Sequence, residues 1–255
     1  MEIVTLRRRA SDNLVVVADR ASSRRSVIAA ALASVALAPE RESIRTIVID
    51  ASGGIDGPDD LHDVMRVLER SSSSIVSAEA ETLERRLDEL LAEISRRRDM
   101  TPAAGQDEPS VVLALHDPDR IQSLRRLSTE LGVRESPLGT KLRRVLADGP
   151  TFGVHVLVSV ISVAAWRAIL PDRVLSAEIR HRVVFPMPEE DSFVLVRSTV
   201  AATMASERGQ SEVAATYDAY RQRTTLFRPY GSDESSDRRL ADEVAQLSER
   251  VPRSS

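Results

Sequence analysis

The stretch NLVVVADRASSRRSVIAAALASVALAPE, residues 13–40, has the pattern of a buried strand, a short polar loop and a buried helix. The apolar run 14–17 predicts the strand, and the alanine-rich run 26–38 predicts a helix in the interior. In that setting, a loop of the form G-x-x-x-x-G-K-[ST] holds the phosphates of ATP. The loop here reads ADRASSRRS over 18–26, without glycine or lysine. The stretch therefore has the outline of a phosphate-binding site and little of its chemistry.

A phosphate loop can be aligned on this segment in two registers. If Ala18 takes the place of the first glycine, Ser23 replaces the second. Arg24 then replaces the lysine, and Arg25 replaces the hydroxyl residue that binds Mg²⁺. If the register shifts by one residue, Arg25 replaces the lysine and Ser26 keeps the hydroxyl. Both registers lose both glycines, whose conformational freedom lets the backbone N–H groups converge on a phosphate. An ordinary strand–helix loop with solvated arginines fits better than an ATP site.

Composition excludes several classes of function. The chain of 255 residues has no cysteine, which rules out disulfides and thiolate metal sites. Its four histidines are not at metal-ligand spacing, and its net charge of -4 gives no global signal for nucleic-acid binding. Among 35 basic residues only Lys141 is a lysine. Because lysine and arginine are not interchangeable in a tight phosphate site, only Lys141 could stand in for the missing lysine.

The longest apolar segment is too short to cross a membrane. It covers residues 27–38, whereas a membrane-spanning helix needs about 20 apolar residues. No signal peptide is visible at the amino terminus. We therefore expect a cytoplasmic protein without membrane contact.

Apolar runs alternate with helical patterns along the chain. The runs predicted as strands are 14–17, 45–50, 111–117, 153–162, 181–187 and 224–230, with a short apolar piece at 73–77. The helical patterns are 26–38, about 61–70, 83–94 and 142–148, and 101–110 is a polar loop. Strands that are apolar on both faces and separated by helices predict a sheet covered on both sides. We expect one three-layer α/β domain over 1–231 with a mostly parallel central sheet, followed by a polar tail over 232–255 that contains a short helix.

The strand at 111–117 ends where an ATPase carries a second acidic motif. An ATP site needs Asp-Glu at this point, one residue for Mg²⁺ and one to orient the attacking water. The sequence instead reads His116-Asp117-Pro118. If Asp117 holds the metal, Pro118 takes the place of the base; if Asp117 is the base, His116 takes the metal position and is a poor ligand for a hard cation. A polar residue that senses the γ-phosphate has only Ser159 or Ser162 as candidates.

Two longer segments resemble the motor domains of FtsK/SpoIIIE-type DNA translocases. The segment TKLRRVLADGPTFGVHVLVSV (140–160) is similar to their helix–glycine–strand unit, and HRVVFPMPEEDSFVLV (181–196) to the strand, turn and helix that follow. TTLFRPYG (224–231) is similar to the closing strand of large bacterial proteins with several FtsK-like domains. NLVVVADRASSRRSVIAAALASVAL (13–37) matches the phosphate-loop segment of the family in shape, and TIVIDASGG (46–54) matches the strand that follows it.

The resemblance implies a RecA-like fold, ATP as fuel, DNA as substrate, and hexamers or tandem domains. Ser22 matches a common loop serine, Asp117 an acidic position, and Arg182 a recurring arginine that is a candidate contact. The degenerate nucleotide-binding segment comprises Ala18, Ser22, Ser23, Arg24, Arg25 and Ser26. The glycines, the lysine and the sensor residue of the family have no match.

We interpret the chain as a catalytically decayed FtsK-like ATPase domain, a structural or regulatory module of a larger DNA-translocating or export machine. We expect no catalytic residue, metal or cofactor, and partners among other FtsK-like domains or subunits, with DNA bound at most through a composite site. One alternative is an active translocase that uses ATP and Mg²⁺, with Asp117 catalytic and arginines in the phosphate loop. Others are a docking domain of a type VII secretion-like ATPase and a dinucleotide-binding enzyme with DASGG (50–54) as its loop.

Overall fold

The computed structural model describes residues 6–36, 44–52, 75–78, 80–101, 108–130, 132–204 and 213–229. The strands in this part of the chain are β1 (Leu14–Val17), β2 (Ile44–Asp50), β3 (Ile75–Ala78), β4 (Ser110–His116), β5 (Leu127–Thr129), β6 (Gly132–Arg134), β7 (Val154–Val160), β8 (His181–Val184), β9 (Ala214–Asp218) and β10 (Arg223–Phe227). The helices are α1 (Ala21–Ala36), α2 (Leu83–Arg98), α3 (Pro137–Asp148), α4 (Val163–Ile169), α5 (Asp172–Glu178), α6 (Glu189–Val196) and α7 (Val200–Thr203). The predicted helix near 61–70 and the tail over 232–255 lie outside the described residues.

Eight strands form one sheet in the order β10-β9-β8-β1-β7-β4-β2-β3. The six strands from β8 to β3 run parallel, and β9 and β10 add an antiparallel end. β1 lies in the middle, where Val16 pairs with Ser159 of β7 and with Val183 of β8. The predicted mostly parallel sheet is confirmed, and the carboxyl ends of its central strands meet at one edge.

Helices cover both faces of the sheet, which confirms the three layers. On one face Leu14 and Val16 pack with Ile28 and Leu32 of α1. On the other face Val15 and Val17 join a larger core with apolar residues of α2, α3 and α4. Apolar burial on both faces is what made the strands visible in the sequence.

Both ends of α3 follow the general rules for helix termini. The Ser136 hydroxyl accepts a hydrogen bond from the Gly139 amide at 2.9 Å, and Pro137 begins the helix. Ser136 thus caps amides that a helix start leaves without partners. The helix ends at Asp148, before Gly149-Pro150, as predicted. No helix in the described ranges is long and apolar enough to span a membrane.

The predicted start of α1 was wrong by five residues. The apolar pattern placed it at Ser26, but the helix begins at Ala21, so only residues 18–20 connect it to β1. Arginine and alanine form helices well, whereas the glycines of a phosphate loop would oppose helix formation. Polar residues in a first helical turn carry no apolar periodicity, which explains the error.

Candidate functional site

The segment that corresponds to a phosphate loop is mostly helix. Ala18 continues the ladder of β1, its amide donating to the Val160 carbonyl at 3.3 Å. Ser22, Ser23, Arg24, Arg25 and Ser26 all lie in the first turns of α1. Ser23 and Ser26 are buried, and the Ser26 hydroxyl donates to the Ser23 carbonyl at 3.0 Å. The amides of these residues follow the helix, so they do not converge around one point as the amides of a phosphate loop do.

Arg24 turns its guanidinium into the carboxyl edge of the sheet and is 1% exposed. Its Nε and Nη2 atoms donate to the two carboxylate oxygens of Asp117, at 2.8 and 2.9 Å. Its Nη1 atom donates to the carbonyls of Ala18 and Asp19, at 2.7 and 3.0 Å. The planar fork of arginine suits this two-pronged contact with a carboxylate. The structure therefore brings together the residues that the sequence aligned with the ATPase lysine and the acidic motif.

Asp117 is held from several directions. It follows β4 with a left-handed backbone (φ 51°), which aspartate tolerates better than most residues. Its amide donates to the Ser159 carbonyl at 3.1 Å. The Arg120 Nε lies 3.8 Å from the second carboxylate oxygen, and Arg120 also donates to the Ser52 carbonyl at 2.9 Å. Arginine groups thus tie α1, the end of β4 and the loop after β2 into one network.

His116 is buried beside this ion pair. Its Nδ1 is 2.6 Å from the Ser159 hydroxyl, and its Nε2 has no hydrogen-bond partner among the described residues. Burial lowers the pKa of His116, and the Asp117 carboxylate only partly opposes this. Both candidate sensor serines are engaged, since the Ser162 hydroxyl accepts the Ala165 amide at 3.1 Å and caps α4.

The site residues as arranged do not fit Mg²⁺ and ATP. Mg²⁺ needs free oxygen ligands, whereas Arg24 takes both Asp117 oxygens. Within the described ranges, no group of three or more histidine and carboxylate residues could hold a metal ion. Lys141, the one lysine, pairs with Glu84 and Asp88 of α2 at 2.9 and 2.8 Å.

Arg182 lies in the core, away from solvent. It is 2% exposed and donates to the carbonyls of Leu175, Ile179 and Leu195, which lie at or just beyond the carboxyl-terminal ends of α5 and α6. Its guanidinium lies 5.5 Å from the ring centre of Tyr217. Burial lowers the pKa of Arg182 to about 10. A contact with a phosphate or a neighbouring subunit would require Arg182 to leave these carbonyls.

The sequence analysis considered the replaced lysine and the incomplete acidic motif separately, and it did not predict that Arg24 and Asp117 form an ion pair. Arg120 and Ser52, which extend the network, were not singled out. One signal was available: a positive charge follows the first strand of a fold whose fourth described strand is directly followed by aspartate. The parallel strands β1 and β4, with β7 between them, both end at the carboxyl edge, so the residues that follow them lie at the same edge of the sheet.

Comparison with solved structures places this arrangement in a known fold. The chain is similar to the pCW3 conjugation coupling protein TcpA (TM-score 0.63, 10% identity, 92% of this chain and 64% of that one). It is also similar to the Thermomonospora curvata type VII secretion ATPase EccC (TM-score 0.63, 15% identity, 93% and 28%). A third match is Geobacillus thermodenitrificans EssC, ATPases 2 and 3 (TM-score 0.61, 14% identity, 94% and 45%).

These structures are FtsK/SpoIIIE-like P-loop ATPases, and the RecA-like fold expected from the sequence is confirmed. No protein-family model and no curated protein matches the sequence. The chain spans between 28% and 64% of the length of the three matched structures.

Proposed function

We propose that this chain is a non-hydrolysing FtsK-like ATPase module, a structural or regulatory domain of a larger translocation or export machine. The observation that carries the proposal is the buried pair of Arg24 and Asp117. In a working site the lysine contacts the β- and γ-phosphates and the aspartate holds Mg²⁺. Here the corresponding side chains bind each other.

Opening this site for a nucleotide would carry a large energetic cost. Four acceptor contacts hold the Arg24 guanidinium, two of them on a carboxylate. Separating one partner of a buried ion pair from the other costs about 3–5 kcal/mol. If a triphosphate had to supply that energy, its affinity would fall by roughly 10²- to 10⁴-fold.

The similarity to ATPases of conjugation and type VII secretion supports a place in a machine of that kind. The Thermomonospora EccC ATPases have been solved in complex with a signal sequence peptide. We infer that this chain acts beside other FtsK-like domains or subunits, where its carboxyl edge provides a fixed surface. DNA contact, if the machine moves DNA, would come from a composite site, because the net charge of the chain is -4.

ATP turnover and binding test the proposal directly. We expect no phosphate release and no calorimetric binding of ATP with Mg²⁺, with or without duplex DNA. Arg24→Lys and Arg25→Lys should not restore turnover, alone or combined with Ser23→Gly and Pro118→Glu, because the missing parts of such a site act as a unit. Arg144→Lys, on the exposed face of α3, is the control for an arginine-to-lysine change.

Turnover near the ~1 s⁻¹ low end of ordinary enzymes would overturn the proposal. If duplex DNA stimulated that turnover and Arg24→Ala abolished it, the chain would be an active translocase that uses arginine in its phosphate site. Binding of ATP without turnover would leave a nucleotide-regulated module in place of a nucleotide-free one.

A further inference from the structure

We propose that the β5–β6 hairpin is a docking arm for an extended acidic peptide segment that carries apolar side chains. The arm comprises residues 125–130 and 132–134 and lies between β4 and α3. The edge of the sheet from which it projects is also the edge that carries the Arg24–Asp117 pair. The proposal rests on the exposure, anchoring and chemistry of the arm and not on the absence of ATP hydrolysis.

The arm is exposed on both faces. All six residues of its two strands are exposed, including Leu127 and Val133, which are 39% and 57% exposed. The two strands pair only with each other in the described part of the chain. A two-stranded hairpin alone is marginally stable in water and needs a further strand or a packing partner. Packing against the domain core therefore does not explain the stability of this hairpin.

The base of the arm is fixed even though its strands are exposed. The Arg126 amide donates to the Ala168 carbonyl of α4 at 2.7 Å. On the other side, the Ser136 hydroxyl donates to the Leu124 carbonyl at 3.0 Å, and Glu135 pairs with Arg143 of α3 at 2.8 Å. The direction of the arm is thus set before any partner binds, which lowers the entropic cost of association.

The side chains of the arm are basic and apolar. Leu127 lies opposite Arg134 in the ladder, so the two share one face of the hairpin, and Arg125 lies two residues earlier in extended backbone. Neither Arg125 nor Arg134 has a partner for its guanidinium in the described ranges. The one carboxylate on the arm is Glu130. This surface is complementary to an acidic ligand.

The backbone of the arm favours a peptide over a nucleic acid as that ligand. Its two outer strand edges present N–H and C=O groups without a third strand in the described ranges. An extended segment can pair with such an edge, and alternate side chains then meet alternate side chains of the arm. Acidic side chains would face Arg125 and Arg134, and apolar ones would lie on the opposite face of the hairpin beside Val133. A phosphate backbone could pair with the arginines but not with the strand edge.

Amide chemical shifts of the isotope-labelled chain, titrated with a synthetic peptide of alternating valine and glutamate, test the proposal. We expect shifts at Ser128, Thr129, Gly132 and Val133, with weaker binding as salt rises. Arg125→Glu with Arg134→Glu should weaken binding about tenfold, because two charge contacts are lost and each is replaced by repulsion. Arg144→Glu with Arg223→Glu changes the net charge equally on exposed residues elsewhere and should leave binding within about twofold.

Val133→Ser provides a second variant that keeps the charge of the arm. It should weaken binding of the valine–glutamate peptide. Leu226→Ser, at a similarly exposed apolar residue of β10, should leave that binding unchanged. Equal binding of a valine–lysine peptide, equal binding of polyglutamate, or shifts outside the arm would overturn the proposal. Larger chemical-shift changes of the arm amides with duplex DNA than with the peptide would also overturn the proposal, since the arm would then contact nucleic acid.

Discussion

Arg24 and Asp117 form a buried ion pair at the carboxyl edge of the sheet, the edge at which open α/β sheets bind their ligands. Both are almost fully buried, so each depends on the other for a compensating charge. A lysine at position 24 could not reproduce the planar contact with both carboxylate oxygens. The arginine in the first turn of α1 is therefore matched to the aspartate that follows β4, and neither is explained alone.

A double-mutant cycle on this pair should give a large coupling energy. Arg24→Met or Asp117→Leu alone leaves a buried charge without its partner and should cost about 3–5 kcal/mol of unfolding free energy. The double substitution should cost far less than the sum, because no unpaired charge remains. Urea unfolding can be followed by the fluorescence of Trp166, which is the only tryptophan and is buried.

The exposed pair of Arg167 and Asp172 provides the control cycle. Their side chains are 45% and 42% exposed, and their coupling should be below about 1 kcal/mol. A coupling for Arg24 and Asp117 as small as that of the control pair would mean that the buried contact is not formed in solution. The carboxyl edge would then be open, and the argument for a blocked site would fail.

At the scale of elements, Arg182 joins two helices to the sheet. It extends from β8 to carbonyls at the ends of α5 and α6, where the partial negative charge of a helix end favours a cation. Within the described residues, its guanidinium contacts carbonyl oxygens and an aromatic ring, and no carboxylate. A recurring arginine on this strand thus has a structural role in this chain.

Arg182→Met should loosen both helices. Three carbonyl oxygens would lose their donor, and each buried polar group left unsatisfied costs about 1–3 kcal/mol, so we expect a loss of at least 2 kcal/mol. Arg182→Lys should be intermediate, because one ammonium cannot reach three carbonyls on two helices. Hydrogen exchange should rise in α5 and α6 before it rises in α2. Arg173→Met, at a side chain that is 81% exposed, should change stability by less than about 0.5 kcal/mol. Unchanged exchange in α5 and α6 of the Arg182 variants would show that the contact does not hold these helices.

For the whole molecule, two buried histidines make stability depend on pH. Burial lowers the pKa of both His116 and His155, although the hydrogen bond of His155 to the Asp12 carbonyl opposes this. As pH falls below about 6.5, the unfolded chain binds protons that the folded chain does not. The stability contribution of the neutral histidines is complete above that pH and is lost as pH falls towards their folded pKa values.

Unfolding free energies at several pH values between 7.5 and 5 should therefore decrease, with each histidine contributing up to about 1.4 kcal/mol per pH unit. The double variant His116→Gln with His155→Gln should be less stable at neutral pH but should show a shallower pH dependence. Separate measurements of His116→Gln and His155→Gln would show how much of the pH dependence of stability comes from each histidine. His116 lies at the carboxyl end of β4, and His155 lies near the amino end of β7. An unchanged slope in the double variant would place the acid sensitivity in other groups.

The amino-acid sequence by itself determined the fold class. Apolar runs such as 14–17 and 154–160 lack the alternation of a half-exposed strand, and the helical patterns between them leave few arrangements other than a parallel sheet between two helical layers. The sequence also showed the loss of the glycines and the lysine. These features are local, since each depends on residue types within one short segment.

Tertiary structure alone decided which side chains meet at the position of a phosphate loop. Arg24 and Asp117 are 93 residues apart, and only the adjacency of β1, β7 and β4 brings them into contact. The early start of α1, the buried position of Arg182 and the exposure of the β5–β6 arm likewise depend on neighbours from distant parts of the chain. A side chain is buried or exposed according to what packs against it, and no short segment specifies that packing. The residue types showed which features of a phosphate loop are absent, while strand order and burial decided which side chains lie at that position.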